Sequence, residues 1–267
     1  MLNIVIVAKD SHIDLYKTLT ALENIFKKQN NLNYITNIFY SSKSKLSRPN
    51  TDEYKHLKLN LTISNDDSVY SAMNFALNSI SFGHIMFLNC GDIITNEIKN
   101  LIVDLNSSNK GKTIFLYNSL HKDLSKRKKG LYVSKFSPRW YSIVFGMKCE
   151  HCCFIAPINL LKKFKFDERL KYAADYKLII NSLKLANRLN YEIIDNRNLI
   201  LVKPNKYGIS SKKSFEDSIN EEIFALVSSQ ICIFEKLIGY IYRSLRIIIY
   251  YLLKTLKIKI FIREILK

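Results

Sequence analysis

Apolar runs and helix-period stretches alternate from Leu2 to Asn118, and that alternation leaves few folds open. LNIVIVA reads as a strand, and DLYKTLTALENIFKK after it carries apolar residues at three- and four-residue steps. YITNIFY is a second strand, LNLTI a third and SVYSAMNFALNSI a helix. HIMFLN is a fourth strand, NEIKNLIVDL another helix and KTIFLYN the next strand. Strands spaced by helices of this length predict a mostly parallel sheet flanked by helices on both faces, a doubly wound α/β fold. In such sheets ligands gather outside the C-terminal strand ends. HIMFLN stops at Asn89-Cys90-Gly91-Asp92, which puts a carboxylate at one of those ends. Asp92 either caps the helix that begins near Thr95 or is held at the sheet edge to meet a charge. Thr95 is the better-placed cap.

Past Lys122 the pattern loosens. KDLSKRKKG is a basic loop, LYVSKF a short strand, and HCCFIAP an apolar segment closed by Pro157. NLLKKF reads as a short helix and AADYKLIINSLKLANRL as a longer one beginning near Asp175; YEIID and NLILVK read as edge strands. From about Phe215 the chain is helical, which divides it into residues 1–214 and a C-terminal region, 215–267. From Phe234 on it is very apolar, yet the longest charge-free stretch there, Ile247–Leu253, falls short of the roughly 18–20 residues of a membrane span. At about 100° per residue, Lys236, Arg243, Arg246, Lys254 and Lys257 occupy about one quarter of the helical wheel. A basic stripe opposite an Ile/Leu/Tyr face is the pattern of an amphipathic helix lying on an anionic membrane. The alternative is a helix packed on the domain or on a second subunit of a homo-oligomer.

The formal charge of +18 calls for an acidic partner: nucleic acid, anionic lipid or a phosphorylated substrate. No zinc-finger spacing and no aromatic RNA-binding signature accompanies it, so nucleic acid is set aside. GxGxxG, GxxxxGK[ST] and HExxH are absent as well. The run Leu2–Val7 meets Lys9 and Asp10 too soon for a secretory leader, and the five cysteines are odd in number. Both observations set the expectation of a reducing cytoplasm and free thiols. Cys149, His151, Cys152 and Cys153 lack the second ligand pair of a structural zinc site, which favours crowded buried thiols.

The stretch DDSVYSAMNFALNSISFGHIMFLNCGDII, Asp66 to Ile94, resembles inverting glycosyltransferases of family 2, which have the GT-A fold. Tyr70, Ala72, Met73 and Asn74 match that family's Y-D-A-M-N motif, and Asn89, Gly91 and Asp92 match its L-N-S-G-D. HCCFIAP followed by FKFDERLKYAADY is similar to the family's H-Q-x-x-F, F-D-E-x-L and a-a-D-Y blocks, and YGISS, residues 207–211, resembles its late G-G-I-S segment. The chain departs from the pattern at Ser71, where the family has Asp, and at residues 40–45, YSSKSK, where the family has an acidic residue.

The resemblance implies transfer of a hexose or N-acetylhexosamine from a nucleotide sugar, UDP-linked, to a lipid-linked or oligosaccharide acceptor, as in capsule or lipopolysaccharide assembly. A degenerate relative that binds nucleotide sugar without turnover is the alternative. Asp175 matches the catalytic base, the plainer reading being a first-turn Asp favoured by the helix dipole. Asp92 matches the ligand of a Mn2+ or Mg2+ ion, which is consistent with the oxygen ligands and phosphate oxygens that hard cations take. Ala8, Asp10, Asp66, Asp67, Asn74, Asn89 and Gly91 fall on the donor side. His151, Lys212 and Lys213 fall on the acceptor or diphosphate side, with a satisfied structural histidine and solvent-facing lysines as the plainer readings. The implied location is the cytoplasm, peripheral at the inner face of the membrane.

Overall fold

The computed structural model describes residues 1–27, 32–45, 47, 49–107, 110–122, 129–132, 144–147, 149–205 and 214–255. Its first half is the alternation expected: β1 Leu2–Ala8, α1 His12–Phe26, β2 Tyr34–Ser41, β3 Leu59–Ser64, α2 Val69–Ser79, β4 His84–Asn89, β5 Ile93–Ile94 and α3 Glu97–Asn106. There follow β6 Thr113–Lys122, β7 Lys129–Tyr132, a 3-10 turn at His151–Cys153, β8 Phe154–Pro157, α4 Ile158–Leu161, α5 Ala174–Arg188, β9 Glu192–Lys203, α6 Phe215–Val227 and α7 Ile233–Thr255.

The strands form one mixed sheet in the order β3-β2-β1-β4-β8-β6-β9-β5, with β7 added to β6. β1, β2, β3 and β4 pair in parallel, whereas β8 runs antiparallel to both β4 and β6. Strands covered on both faces read as near-continuous apolar runs; β1 from Ile4 and β4 from Ile85 do so, with Ile4, Ile6, Ile85 and Leu88 wholly buried, while the buried Asn3 and His84 at their starts are hydrogen-bonded to the Phe82 and Thr113 carbonyls. α1 buries Leu15, Leu19, Leu22 and Phe26, one stripe at helical spacing. In α2, Ser71 stands where the family resemblance carries Asp. It completes a capping box with Ser68, each side chain accepting the other's backbone N–H at 3.1 and 2.9 Å.

Two expectations change. YEIID and NLILVK are a single twelve-residue strand, β9, parallel to β6 and flanked at its end by β5. The polar Asn196-Arg197 between them looks like a turn but is absorbed by a register shift, with Asn118 Nδ2 donating to the Arg197 carbonyl at 2.7 Å. The second change concerns α7. The middle of its basic stripe faces the protein, while Lys254 is exposed: Arg243 is fully buried, donating to the carbonyls of Val144 (2.7 Å) and Gly239 (3.1 Å) and to Tyr176 Oη (2.6 Å). Gly239 permits that approach, since a Cβ there would meet Leu226 at 2.6 Å. Lys257 lies outside the described residues. No helix among the described residues is long and apolar enough to cross a membrane.

Candidate active site

The parallel register brings the C-terminal ends of four strands to one edge: Ala8 pairs with Tyr40, Val7 with Asn89, and Ser41 with Ser64. Asp10 follows Ala8 with a left-handed φ of 50°, a conformation Asp tolerates better than most residues. Its Oδ1 accepts Ser44 Oγ at 2.8 Å and Lys45 N at 2.6 Å. A carboxylate from β1 thereby reaches the segment after β2 that has none of its own. Asp67 is exposed and paired with Lys43, whose ammonium holds its carboxyl below the usual range. Asp66 Oδ2 is buried and makes no hydrogen bond among the described residues.

Asp92 is 2% exposed and does not cap α3; Thr95 Oγ1 accepts the Glu97 N–H instead, at 3.3 Å. The Asp92 carboxylate takes one backbone N–H on each oxygen, Asn205 N on Oδ1 at 2.8 Å and Asn89 N on Oδ2 at 3.3 Å. The turn that carries it is pinned by Thr18, whose Oγ1 accepts Gly91 N–H and donates to the Asp92 carbonyl, both at 2.9 Å. Gly91 has φ +90°, and a Cβ there would run into the Asn205 side chain. Burial pushes the Asp92 carboxyl above its ordinary value, and the N–H donors and nearby His151 pull the other way. Such a group lacks positive charge.

His151 supplies some of it. The 3-10 turn before β8 aims Nδ1 at Asp175 Oδ2, 3.5 Å away, and Nε2 at Asn89 Oδ1, 3.3 Å away. Both ring nitrogens face oxygens, an arrangement that an imidazolium satisfies. Burial alone would lower its pKa; Asp175 and Asp92 outweigh that and raise it. Asp175 sits in the first turn of α5 with its side chain 13% exposed, Oδ1 accepting its neighbour's N–H, Tyr176, at 2.7 Å. Asn89, Gly91, Asp92, His151 and Asp175 therefore converge.

Other expected residues are placed differently. Asn74 spends its amide as a tether: Oδ1 accepts Phe166 N at 2.7 Å, and Nδ2 donates to Phe166 O (2.9 Å) and Glu168 (2.7 Å). It fixes the loop before α5 to α2 rather than presenting a free amide to a donor. Lys212, Lys213 and residues 207–211 lie outside the described residues. Cys149, Cys152 and Cys153 are buried thiols, while the neighbouring His151 turns its ring to Asn89 and Asp175. Burial pushes Cys149 well above its ordinary value. Asn205 and Thr18, which hold the Asp92 turn, carried no sequence signal beyond Asn205 following a proline.

No family model matches the sequence, and no curated protein matches it. Solved structures do. S. aureus TarS 1-349 in complex with UDP superposes with a TM-score of 0.61 at 14% identity, over 88% of this chain and 68% of that one. The same protein in complex with UDP-GlcNAc gives 0.60 at 14% identity, over 88% and 69%. The mannosyltransferase PcManGT from Pyrobaculum calidifontis, in complex with GDP-Man and Mn2+, gives 0.60 at 10% identity, over 95% and 72%. The fold is GT-A-like. At these identities the likeness extends to the fold alone, and the GT-A sheet edge is where the converging residues lie.

Proposed function

We propose that the protein is an inverting glycosyltransferase that moves a hexose or N-acetylhexosamine from a nucleotide sugar, UDP-linked, to a lipid-linked or oligosaccharide acceptor in cell-surface glycan assembly. One observation carries the reading: a single histidine joins Asp175, the candidate base, to Asn89 on the turn that holds Asp92. Base and donor side are thus one hydrogen-bonded unit at the C-terminal edge of the sheet. Asp175 Oδ2 accepts the acceptor hydroxyl's proton as that oxygen attacks the anomeric carbon. The bond to the nucleoside diphosphate breaks on the opposite face, and the configuration inverts. His151 orients Asp175 and places positive charge between the two carboxylates. Asp10, Asp66 and Asp67 line the nucleotide side, with the unpartnered Asp66 Oδ2 suited to accept from a ribose hydroxyl or base N–H.

Asp92 suits a divalent cation, Mn2+ or Mg2+, because each of its oxygens keeps a lone pair and burial raises its demand for positive charge. No three potential metal-ligating side chains meet among the described residues, so the remaining ligands would be phosphate oxygens and water. When bound, such an ion offsets the charge that collects on the leaving diphosphate.

The membrane contact we propose is the outer face of α7 on anionic lipid at the inner face of the cytoplasmic membrane. Phe234, Leu237, Ile241, Leu245, Ile248 and Leu252 are each about half exposed or more. At +18, two copies of the chain would repel where an anionic surface attracts.

The deciding experiment is thermal shift with UDP, UDP-GlcNAc, UDP-glucose and GDP-mannose, with and without Mn2+, followed by a transfer assay. We expect stabilisation by one UDP-linked donor, larger with Mn2+, and a product of inverted anomeric configuration. Absence of stabilisation by all four would overturn the donor site.

A further inference from the structure

The N-terminus of α5 is closed by groups from other parts of the chain. A helix start leaves backbone N–H groups without partners and attracts negative charge. Ser, Thr, Asp or Asn usually takes them up, but the residue before α5 is Ala173, which has no side-chain oxygen. Glu221, forty-eight to fifty residues further along in α6, does the work. Its Oε2 accepts Tyr172 N at 2.6 Å, Ala173 N at 3.0 Å and Lys171 N at 3.1 Å, while Oε1 accepts Lys171 N at 2.9 Å. Burial pushes the Tyr70 phenol up, and the backbone N–H groups of Ala174 and Asp175, which this hydroxyl from α2 lies against, pull the other way. That ring is stacked on Phe166, with centroids 5.4 Å apart. The Tyr176 N–H goes to Asp175 Oδ1.

The backbone donors of residues 171–173 and 176 are therefore occupied from within the protein, and the Tyr70 hydroxyl lies against the two between them. Two consequences follow. This helix terminus is not available to hold a phosphate, although helix N-termini are ready anion sites. Its donors instead fix the backbone that carries Asp175, from one side through Glu221 and from the other through Tyr70. With Oδ1 held by its own helix, Asp175 has Oδ2 left to face His151 and an incoming hydroxyl.

We propose that Glu221 and Tyr70 are positioning residues for the transfer reaction, setting the placement of the Asp175 carboxylate without touching the substrate. The proposal rests on the transferase reading above, and it makes α6 a working part of the active site. A misplacement of about 1 Å costs about 100-fold in rate. Glu221→Ala should lower kcat by about 10- to 100-fold while the donor dissociation constant and donor KM stay within about twofold. Glu221→Gln keeps one acceptor oxygen and should recover part of that loss, and Tyr70→Phe should show a kcat loss of the same kind. All are measured in the full chain, with donor affinity by calorimetry and kcat at a temperature where circular dichroism shows each variant folded. A lower melting temperature with wild-type kcat would mean that Glu221 only caps a helix, and the proposal would fall alone. No transfer by the wild type on any acceptor would bring down the transferase reading and this proposal with it.

Discussion

In the parallel half of the sheet, Ile4, Ile6, Ile85 and Leu88 are buried and the carboxylates stand at strand ends, beyond the core. On α7 the assignment is reversed. Glu235, Gly239 and Arg243 are its buried residues, four apart on one face, while Ile233, Phe234, Leu237, Ile241 and Leu245 look outward. One region is held by removing apolar area from water. The other adds specific polar contacts to the stacking of Tyr250 on Phe215: Lys184–Glu235 at 2.8 Å, Arg246–Glu222 at 3.1 Å and the four groups around Arg243. Buried ion pairs add little net stability but cost heavily when one partner is removed. A helix attached that way keeps a fixed orientation and leaves its apolar face for something else. In the proposed reading the two regions also divide the chemistry, with the donor-side carboxylates at the sheet edge and the candidate base, Asp175, in the α5–α7 assembly.

That division is tested most strongly at Asp175. Asp175→Asn should lower single-turnover transfer by roughly 10²–10⁴ with unchanged donor affinity, since the amide cannot accept the proton. Asp92→Asn should lose metal-supported donor binding together with rate. Calorimetry beside rapid-quench kinetics on both variants separates them; loss of donor affinity in Asp175→Asn would dissolve the distinction.

Arg243→Ala should destabilise the fold by about 3–5 kcal/mol, because Glu222 and the Val144 carbonyl lose a buried partner. Urea unfolding measures it. A cost below about 1 kcal/mol would mean that α7 is held by other means than its polar face.

Acid should loosen the sheet half. Burial pushes His84 down to about 4, and its Nε2 lies 2.9 Å from the Thr113 carbonyl across the strands. Because the unfolded histidine binds its proton first, near pH 6.5, stability is lost as pH falls from about 6.5 to about 4, by roughly 3 kcal/mol in all. Asp167 acts in the same direction at lower pH: Arg169 holds its carboxyl well below the usual range, so its contribution is present above about pH 4 and lost below. Urea midpoints measured across this range should slope less in His84→Gln.

The smallest stability effect belongs to the outer face of α7. Ile241→Glu should change folding stability by no more than about 0.5 kcal/mol yet weaken binding to vesicles of anionic lipid by roughly tenfold or more. Cosedimentation unaffected by this change and by 0.5 M salt would remove the lipid contact. Removing α7 is a poorer test, because it also strips Glu235 from Lys184 and Arg243 from Tyr176.

The order of strands and helices in the first half was legible because it depends on near neighbours: β1 and β4 contain the apolar runs Ile4–Ala8 and Ile85–Leu88, and α1 repeats its apolar residues every three or four positions. Asn89, Gly91 and Asp92 were legible as a carboxylate at a strand end, and His151 and Asp175 through the resemblance. Local periodicity also showed the basic stripe of α7, but not which way it faces. That was decided by the Tyr176 hydroxyl, 67 residues from Arg243, and by the Val144 carbonyl, 99 residues away. The same separation hid Glu221, 49 residues from the Tyr172 N–H it holds, and Asn205, 113 residues from Asp92. A bond from a side chain to a distant backbone N–H leaves no periodic trace, because only the acceptor's identity is written in the sequence and every residue but proline offers the donor. The sequence by itself determined which carboxylates reach the sheet edge. Only the tertiary structure decided which amides hold them there, because those amides come from parts of the chain that meet only on folding.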